Sequence, residues 1–505
     1  MQGNHNLCVL GGRIGFGSTR TDLFSTLGDL QRFCSRVVCH DFAEKMSNEL
    51  LHRKVRRPST SSSSVNEPSK LPRSKPSPPP DQPLHAAQDS LFSTSSGWTN
   101  YKGFFNLSML LLVVSNARVA LENLMKYGIL ISPSSWIGFL STDFWMWPNL
   151  AMVLCSNITC VLVLFTEKAL ARKWIGNQLA VIWYICLISV HVITPVLITL
   201  YLRRNPLFAF HALSIIVIET LKLVSYIHVN YWCRCAREKD EKSKDFAYPA
   251  NLTLKNLYYF LFAPTLCYEL NFPRTPARRK RFIIKRIVEL IVFSFVYICL
   301  VQQWIFPLVR NSVSTLADMP YGRRIERLLK LAVPNILIWL LMFYTVFHSF
   351  MNLLAEILRF ADREFYRDFW NAETITYFWQ TWNIPVHRWC ARHVYKPMVK
   401  NKFSRLQALT AVFVISAIFH EYLVSVPLHM FRLWAFGGML MQIPLGIFTD
   451  KILKGGRAGN IVVWLSLILG QPMAILMYVH DWYLINHPEY ISANATEPIL
   501  GPLLG

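Results

Sequence analysis

Charged side chains are scarce in this chain: 16% of its 505 residues are Asp, Glu, Lys or Arg, whereas 53% are hydrophobic. A soluble domain carries about 25% charged residues, so much of this chain's surface has no aqueous role, and a membrane accounts for the deficit. Acidic residues are the scarcer sign, 30 against 52 basic, for a net charge of +22. The first 100 residues hold 12 Lys and Arg and 8 Asp and Glu, which leaves 40 and 22, or +18, dispersed through the apolar remainder. No contiguous basic domain exists to follow a duplex, so nucleic acid is not the expected partner. Positive charge between apolar runs is instead the pattern of membrane loops. Zinc-spaced Cys/His sets are missing too. Eleven cysteines are scattered, with only Cys34/Cys39, Cys155/Cys160 and Cys233/Cys235 close together, so no metal is expected and the thiols read as reduced. The cluster Gly11-Gly12-Arg13-Ile14-Gly15-Phe16-Gly17 lacks the Lys-Ser/Thr of a phosphate loop, and the N-terminus lacks the apolar core of a cleavable signal.

What is present divides the chain unevenly. From His52 to Pro83 it is basic and then Ser/Pro-rich, too polar to offset its ordering entropy, so residues 1–86 are expected to form a disordered cytoplasmic tail. After Tyr101 come long apolar stretches near 105–130, 148–166, 178–201, 207–228, 286–308, 328–354, 408–427, 430–448 and 461–486. Each is close to the roughly 20 residues that cross about 30 Å of hydrocarbon, which makes about nine spans. They lack the alternation of barrel strands, so an all-α polytopic bundle is expected over 105–490. The 229–282 segment, with 11 Lys and Arg, and the basic 357–405 stretch read as cytoplasmic loops. With four spans ahead of the first, the N-terminus is cytoplasmic, and an odd total sends the short 491–505 tail to the lumen. Arg203-Arg204 and Arg323-Arg324 run against this scheme.

Ionisable residues inside apolar spans are costly and mark either internal pairs or a site. Glu219 and Lys222, three apart, are expected to neutralise one another. Glu289 reads as an anchor beside Lys285 and Arg286, and His191 and His348 as hydrogen-bonded packing residues. His420-Glu421 is different, because an imidazole and a carboxylate interrupt an almost wholly apolar run from Leu409 to Val426. Ser416 lies one turn earlier on the His420 face. A neutral imidazole in a low-dielectric cavity suits proton abstraction from an alcohol. A histidine paired with its neighbouring glutamate for packing is the other reading. The dense aromatic region from Phe365 to Trp389 also has two readings: an interfacial belt, or an entry for an amphiphile with an anionic head. For the second, Arg388, Arg392, Lys396 and Arg405 supply charge, and Gln380 and Asn383 fixed dipoles. Four glycosylation sequons occur, at Asn106, Asn157, Asn251 and Asn494, of which Asn494 is the one placed to matter.

Phe365-Tyr366-Arg367-Asp368-Phe369-Trp370-Asn371 resembles the FYxDWWN signature of the membrane-bound O-acyltransferase superfamily, whose catalytic histidine His420 matches. Asn256 to Arg274, Ala332-Val-Pro-Asn335, Trp379 to His387, Phe419 to Pro427 and Gly470-Gln-Pro-Met473 are similar, in order, to the animal type-1 acyl-CoA:diacylglycerol acyltransferases, from about Gln88 to about Tyr483. The resemblance implies an endoplasmic-reticulum enzyme with a buried reaction chamber that makes triacylglycerol and CoA from diacylglycerol and fatty acyl-CoA, with acyl-CoA a substrate and no cofactor. His420 would be the general base. Asn383 and Gln471 would face the reacting carbonyl, and Glu421 would support the histidine. Trp379, Gln380, Thr381, Trp382, Asn383, Ile384, Pro385, Val386, His387, Tyr395, Ser416 and Tyr483 would line the acyl-CoA tunnel, with Arg405 at the CoA phosphates. Residues 87–104 would mediate a homodimer or homotetramer. The chain departs from the pattern at Phe369, in place of the first signature Trp; at Asn256, in place of Asp; and at Leu409, in place of a basic residue. Sterol O-acylation, and non-enzymatic lipid transport by the same mid-membrane polar residues, are the alternatives.

Overall fold

Apolar runs with no water to satisfy their backbone close on themselves as helices. In the computed structural model, which describes residues 102–133, 136, 148–202, 205–238, 248–308 and 321–486, fifteen α-helices follow one another and no β-strand occurs among the described residues. The expected tail, most of the 87–104 segment, the C-terminal tail with Asn494, the Arg203-Arg204 pair and the side chains of Arg323, Arg324 and Tyr483 lie outside them.

The first helices are α1 (Lys102–Tyr127), α2 (Pro148–Ala171), α3 (Asn177–Leu202), α4 (Pro206–Glu238), the short α5 (Leu254–Phe262) and α6 (Lys280–Leu300). Next come α7 (Tyr321–Phe343) and α8 (Met351–Ile357), joined by a π-helical turn, Tyr344–Phe350. The amphiphilic stretch forms α9 (Ile375–Thr381), α10 (Ile384–Cys390) and α11 (Lys396–Lys400). Then α12 (Arg405–Leu428), α13 (Trp434–Leu440), α14 (Gln442–Ile447) and α15 (Gly456–Asn486) complete the order.

Seven described helical segments are long and apolar enough to cross a membrane: 106–127, 148–171, 177–202, 206–237, 325–357, 405–428 and 456–482. Seven of the about nine expected spans are among these, and the other two, 430–448 and 286–308, are helical with local interruptions. Over 430–448 the chain turns at Leu433 (φ +58°), ahead of α13, and the helix is then divided at Met441 between α13 and α14. The 286–308 run belongs to α6, whose first half carries Lys280, Arg281, Lys285, Arg286 and Glu289. Its helix then continues through a π turn, Val301–Ile305, where Gln303 holds the end of α1 by donating to Asn123 Oδ1 (2.8 Å) and the Gly128 carbonyl (2.9 Å).

α2, α3 and α4 pack together over a core that includes Cys160, Val163, Leu164, Leu223 and Tyr226. Glu219 and Lys222 do not pair directly there. Glu219 accepts from Ser156 Oγ at 2.6 Å, and Lys222 donates to the Phe260, Leu261 and Ala263 carbonyls at 2.9, 2.7 and 2.7 Å. The last carbonyls of a helix have no intrahelical partner, so a buried ammonium closes α5 where an exposed helix would use water. The segment expected as a loop from 229 begins later, because α4 runs on to Glu238 and its Arg234 is buried against Glu167 at 2.8 Å. Glu289 is paired as expected, with Arg286 (2.6 Å) and Ser349 (2.9 Å). His191 is buried, yet its Nε2 has no hydrogen-bond partner and stands 3.9 Å from Glu219. The eight cysteines described are all unpaired, and burial pushes the Cys390 thiol up to about 11.

Candidate active site

α12 carries the two polar residues on which the chemistry was expected, and they face different surroundings. The ring nitrogen Nδ1 of His420 lies 2.8 Å from the Ser416 carbonyl and 3.4 Å from Ser416 Oγ. A carbonyl only accepts, so Nδ1 holds the proton and Nε2 keeps its lone pair. The His420 side chain is exposed to open space at the middle of an apolar span rather than packed. Phe413, seven residues and about two turns earlier on the same face, meets the ring of Trp379 edge-on at 6.2 Å. The Nε2 face of α12 is therefore the one that looks toward α9.

Glu421, one position on and about 100° round the helix, turns away from it. It is buried, and its carboxylate accepts from Ser425 Oγ, from the backbone N–H of Leu433 (2.9 Å) and Phe436 (3.0 Å), and from the Tyr478 hydroxyl (3.0 Å). These donors fix the left-handed Leu433 and the start of α13 against α12 and α15. The packing reading of a His420–Glu421 pair is not what forms, since Glu421 is spent on this hub.

The motifs around Asn335 and Gln471 meet. α7 packs on α15, Pro334 and Pro472 interrupt their ladders, and Asn335 Nδ2 donates to Gln471 Oε1 at 3.3 Å. Asn383 is the N-cap of α10, its Oδ1 accepting from Val386 N at 3.3 Å ahead of Pro385. Both amide oxygens are thus occupied, which leaves the NH2 groups of Gln471 and Asn383 as the ends available to an acceptor. Asn335 was quoted in a motif without a role, and only the fold reveals its contact with Gln471.

The signature segment packs against α7 and is tied to α9 and α10. Phe365 and Phe369 are buried; Phe369 sits against Trp339, Phe343 and Phe378, which supplies a ring where an indole was expected. Tyr366 hydroxyl meets His348 Nδ1 at 2.8 Å, so the packing histidine of the π turn is tied to the signature. Arg367 N donates to Thr381 O, and Ile384 N to Phe365 O, lacing the segment to α9 and α10. Asp368 accepts from Tyr377 (2.8 Å), which holds its carboxyl below the usual range, and Trp370 O accepts from Asn460 and Trp464. Within the run Phe378 to Trp382, Trp382 stacks on Trp339 and Phe378 against the aromatic core. Trp379 Nε1 donates to Gln442 at 3.4 Å, Thr381 and Ile384 are buried, and Gln380 and Val386 are exposed.

The cations expected at an anionic head divide. Arg388 is already forked onto Asp362 (2.6 Å) and Glu364 (2.5 Å), and with Arg367 it keeps the Glu364 carboxyl low, the Arg367 bond contributing most. Arg392 donates to the Tyr268 carbonyl (3.0 Å) and covers Trp232. Beside it, His393 bonds Ser225 (2.8 Å) and His228 (3.1 Å). Lys396, beside Tyr395, and the exposed Arg405 at the start of α12 remain near that end. Asn256, in the place of an Asp, accepts from the Tyr268 hydroxyl at 2.7 Å; Leu409 is the fifth residue of α12. Tyr483 has no described side chain.

Residues 141–480 match the model of the MBOAT, membrane-bound O-acyltransferase family. The chain is 50% identical over 414 residues to the human protein named diacylglycerol O-acyltransferase 1, covering 80% of this chain and 85% of that one. It is 49% identical over 422 residues to the Bos taurus protein of the same name, 80% and 86% covered, and 40% identical over 415 residues to diacylglycerol O-acyltransferase 1A of Glycine max, 80% and 82% covered.

Proposed function

The chain belongs to the membrane-bound O-acyltransferase family, and from that premise we propose that it moves a fatty acyl group from acyl-CoA to the free hydroxyl of diacylglycerol, giving triacylglycerol and CoA. The observation that carries the reading is His420, whose Nδ1 proton is held by the Ser416 carbonyl while its basic Nε2 faces open space in an otherwise apolar span.

Nε2 takes the hydroxyl proton as the oxygen attacks the thioester carbonyl. The C–S bond breaks, and the imidazolium returns the proton to the departing thiolate. The free amide ends of Asn383 and Gln471 donate to the carbonyl oxygen where negative charge develops. Glu421 fixes the helix that presents the histidine. The stretch Trp379, Gln380, Thr381, Trp382, Ile384, Pro385, Val386 and His387, with Tyr395, Ser416 and Tyr483, guides the acyl chain, and Arg405 meets the CoA phosphates from the cytoplasmic side. Arg388 and Arg392 are assigned no phosphate, since their donors are committed internally. The reading also places the enzyme in the endoplasmic-reticulum membrane, N-terminus cytoplasmic and C-terminus lumenal, as a homodimer or homotetramer through residues 87–104.

Purified protein given labelled acyl-CoA and diacylglycerol is expected to form triacylglycerol with release of CoA. His420→Ala is expected to lower the rate by about 10²–10⁴, the usual worth of general base catalysis. Full turnover in that variant refutes the mechanism, and preference for cholesterol over diacylglycerol refutes the acceptor.

A further inference from the structure

On the outer surface of the bundle, a cleft of about 430 Å³ runs between α2 and α3. Leu162, Phe165, Ile175, Leu179 and Trp183 form its walls. Phe165 and Leu179 are 57% and 63% exposed, so the cleft opens outward from the protein. Its floor asks nothing of a ligand: Trp183 Nε1 donates to Thr166 Oγ1 (3.1 Å), which donates in turn to the Leu162 carbonyl (2.8 Å). A hydrocarbon chain can lie there without stranding a polar group.

The rim is of opposite character. Lys168 extends over the Phe165 ring at 5.8 Å, and Arg172 lies over Trp174, itself 72% exposed, at 4.8 Å. Lys173 follows, exposed, in the turn between the helices. The neighbouring carboxylate does not neutralise them, because Glu167 is fully buried and turned inward onto Arg234 and Tyr184. Arg234 also donates to Asn177 at the start of α3, so this turn lies at the same end of the bundle as the last turn of α4 with its exposed Arg237. That end carries the excess of positive charge expected at a cytoplasmic face, whose leaflet holds anionic lipids.

We propose that this cleft binds one acyl chain of an anionic glycerophospholipid, with the headgroup phosphate between Lys168, Arg172 and Lys173. An apolar slot alone would take any bilayer lipid; a basic rim beside an interfacial tryptophan selects the charged one. The site is independent of the acyl-transfer reading, since it shares no residue with it.

Native mass spectrometry of the full chain in detergent, with equal phosphatidylglycerol and phosphatidylcholine of matched acyl chains, tests it. The wild type is expected to retain phosphatidylglycerol over phosphatidylcholine by roughly tenfold or more, the factor that two basic residues near an anionic head supply. In the double variant Arg172→Gln/Lys173→Gln, whose positions are exposed and whose elution on gel filtration should be unchanged, the preference should fall by roughly tenfold or more, to the few-fold that the remaining Lys168 supplies. Ala169→Phe, which fills the slot, should lose both adducts. Equal retention of the two lipids by the wild type, or an undiminished preference in the charge variant, overturns the proposal.

Discussion

At the scale of single residues, the hydrogen bond that prepares His420 comes from the backbone of Ser416 and not chiefly from its hydroxyl, which is 3.4 Å away. Ser416→Ala should therefore keep turnover within about tenfold of wild type, the worth of one neutral hydrogen bond, and a collapse comparable to that of His420→Ala would assign the hydroxyl a direct part. Phe369, by contrast, is a packing residue among Trp339, Phe343 and Phe378. Its replacement by Ala is expected to cost about 3–5 kcal/mol, read as a lower thermal midpoint, while an unchanged midpoint would mean the aromatic core is not what holds the signature. His420 was legible in the sequence because an ionisable group is rare in an apolar run. The direction of Glu421 was not, since its donors at Leu433, Phe436 and Tyr478 arrive from 12 to 57 residues away. Arg388 misled for the same reason: composition supplies a cation, and only the fold supplies Asp362 and Glu364 beside it.

At the scale of elements, hydropathy identified seven of the spans because it averages over a whole segment, and it is blind to detail where a few residues decide. The apolar run from 430 to 448 reads as one helix, yet its helix starts only at Trp434 because Leu433 adopts φ +58°, a choice stabilised by the Glu421 carboxylate rather than by local propensity. Four π-helical turns, at Val301–Ile305, Tyr344–Phe350, Ala391–Tyr395 and Phe448–Ile452, shift the faces of helices in a way that 3.6-residue periodicity cannot anticipate. The start of α15 rests on close contact with the chain after the signature: a Cβ at Gly459 would lie 1.9 Å from the Glu373 carbonyl oxygen. Gly459→Ala must push these backbones apart, so it is expected to lower the melting temperature and to weaken the Asn460 bonds to Trp370 and Ala372. A variant melting with the wild type would show that the two segments separate freely.

At the scale of the whole molecule, stability should depend on pH through His393, whose ring is buried against Ser225, His228, Trp389, Arg392 and Trp232. Burial, with His228 and Arg392 nearby, lowers its pKa from 6.5 to about 3. Between those values the unfolded chain binds a proton that the folded chain refuses, so stability present above pH 6.5 is lost progressively as pH falls toward 3. Thermal midpoints measured from pH 7.5 to 5 should fall, and His393→Asn should flatten that slope; equal slopes in the two proteins would remove His393 as the cause.

The ammonium of Lys222 bears on how such a protein is made. It stands midway along α4, and the carbonyls that receive it belong to residues 38 to 41 positions later. A cation at the centre of a nascent membrane helix costs about 2.5–3.5 kcal/mol on insertion scales, and Glu219, three residues away on α4, is held by Ser156 in the finished fold. The ribosome must therefore deliver the end of α5 before α4 can settle in lipid with its charge satisfied, so the two segments are expected to leave the insertion machinery as one unit rather than in sequence.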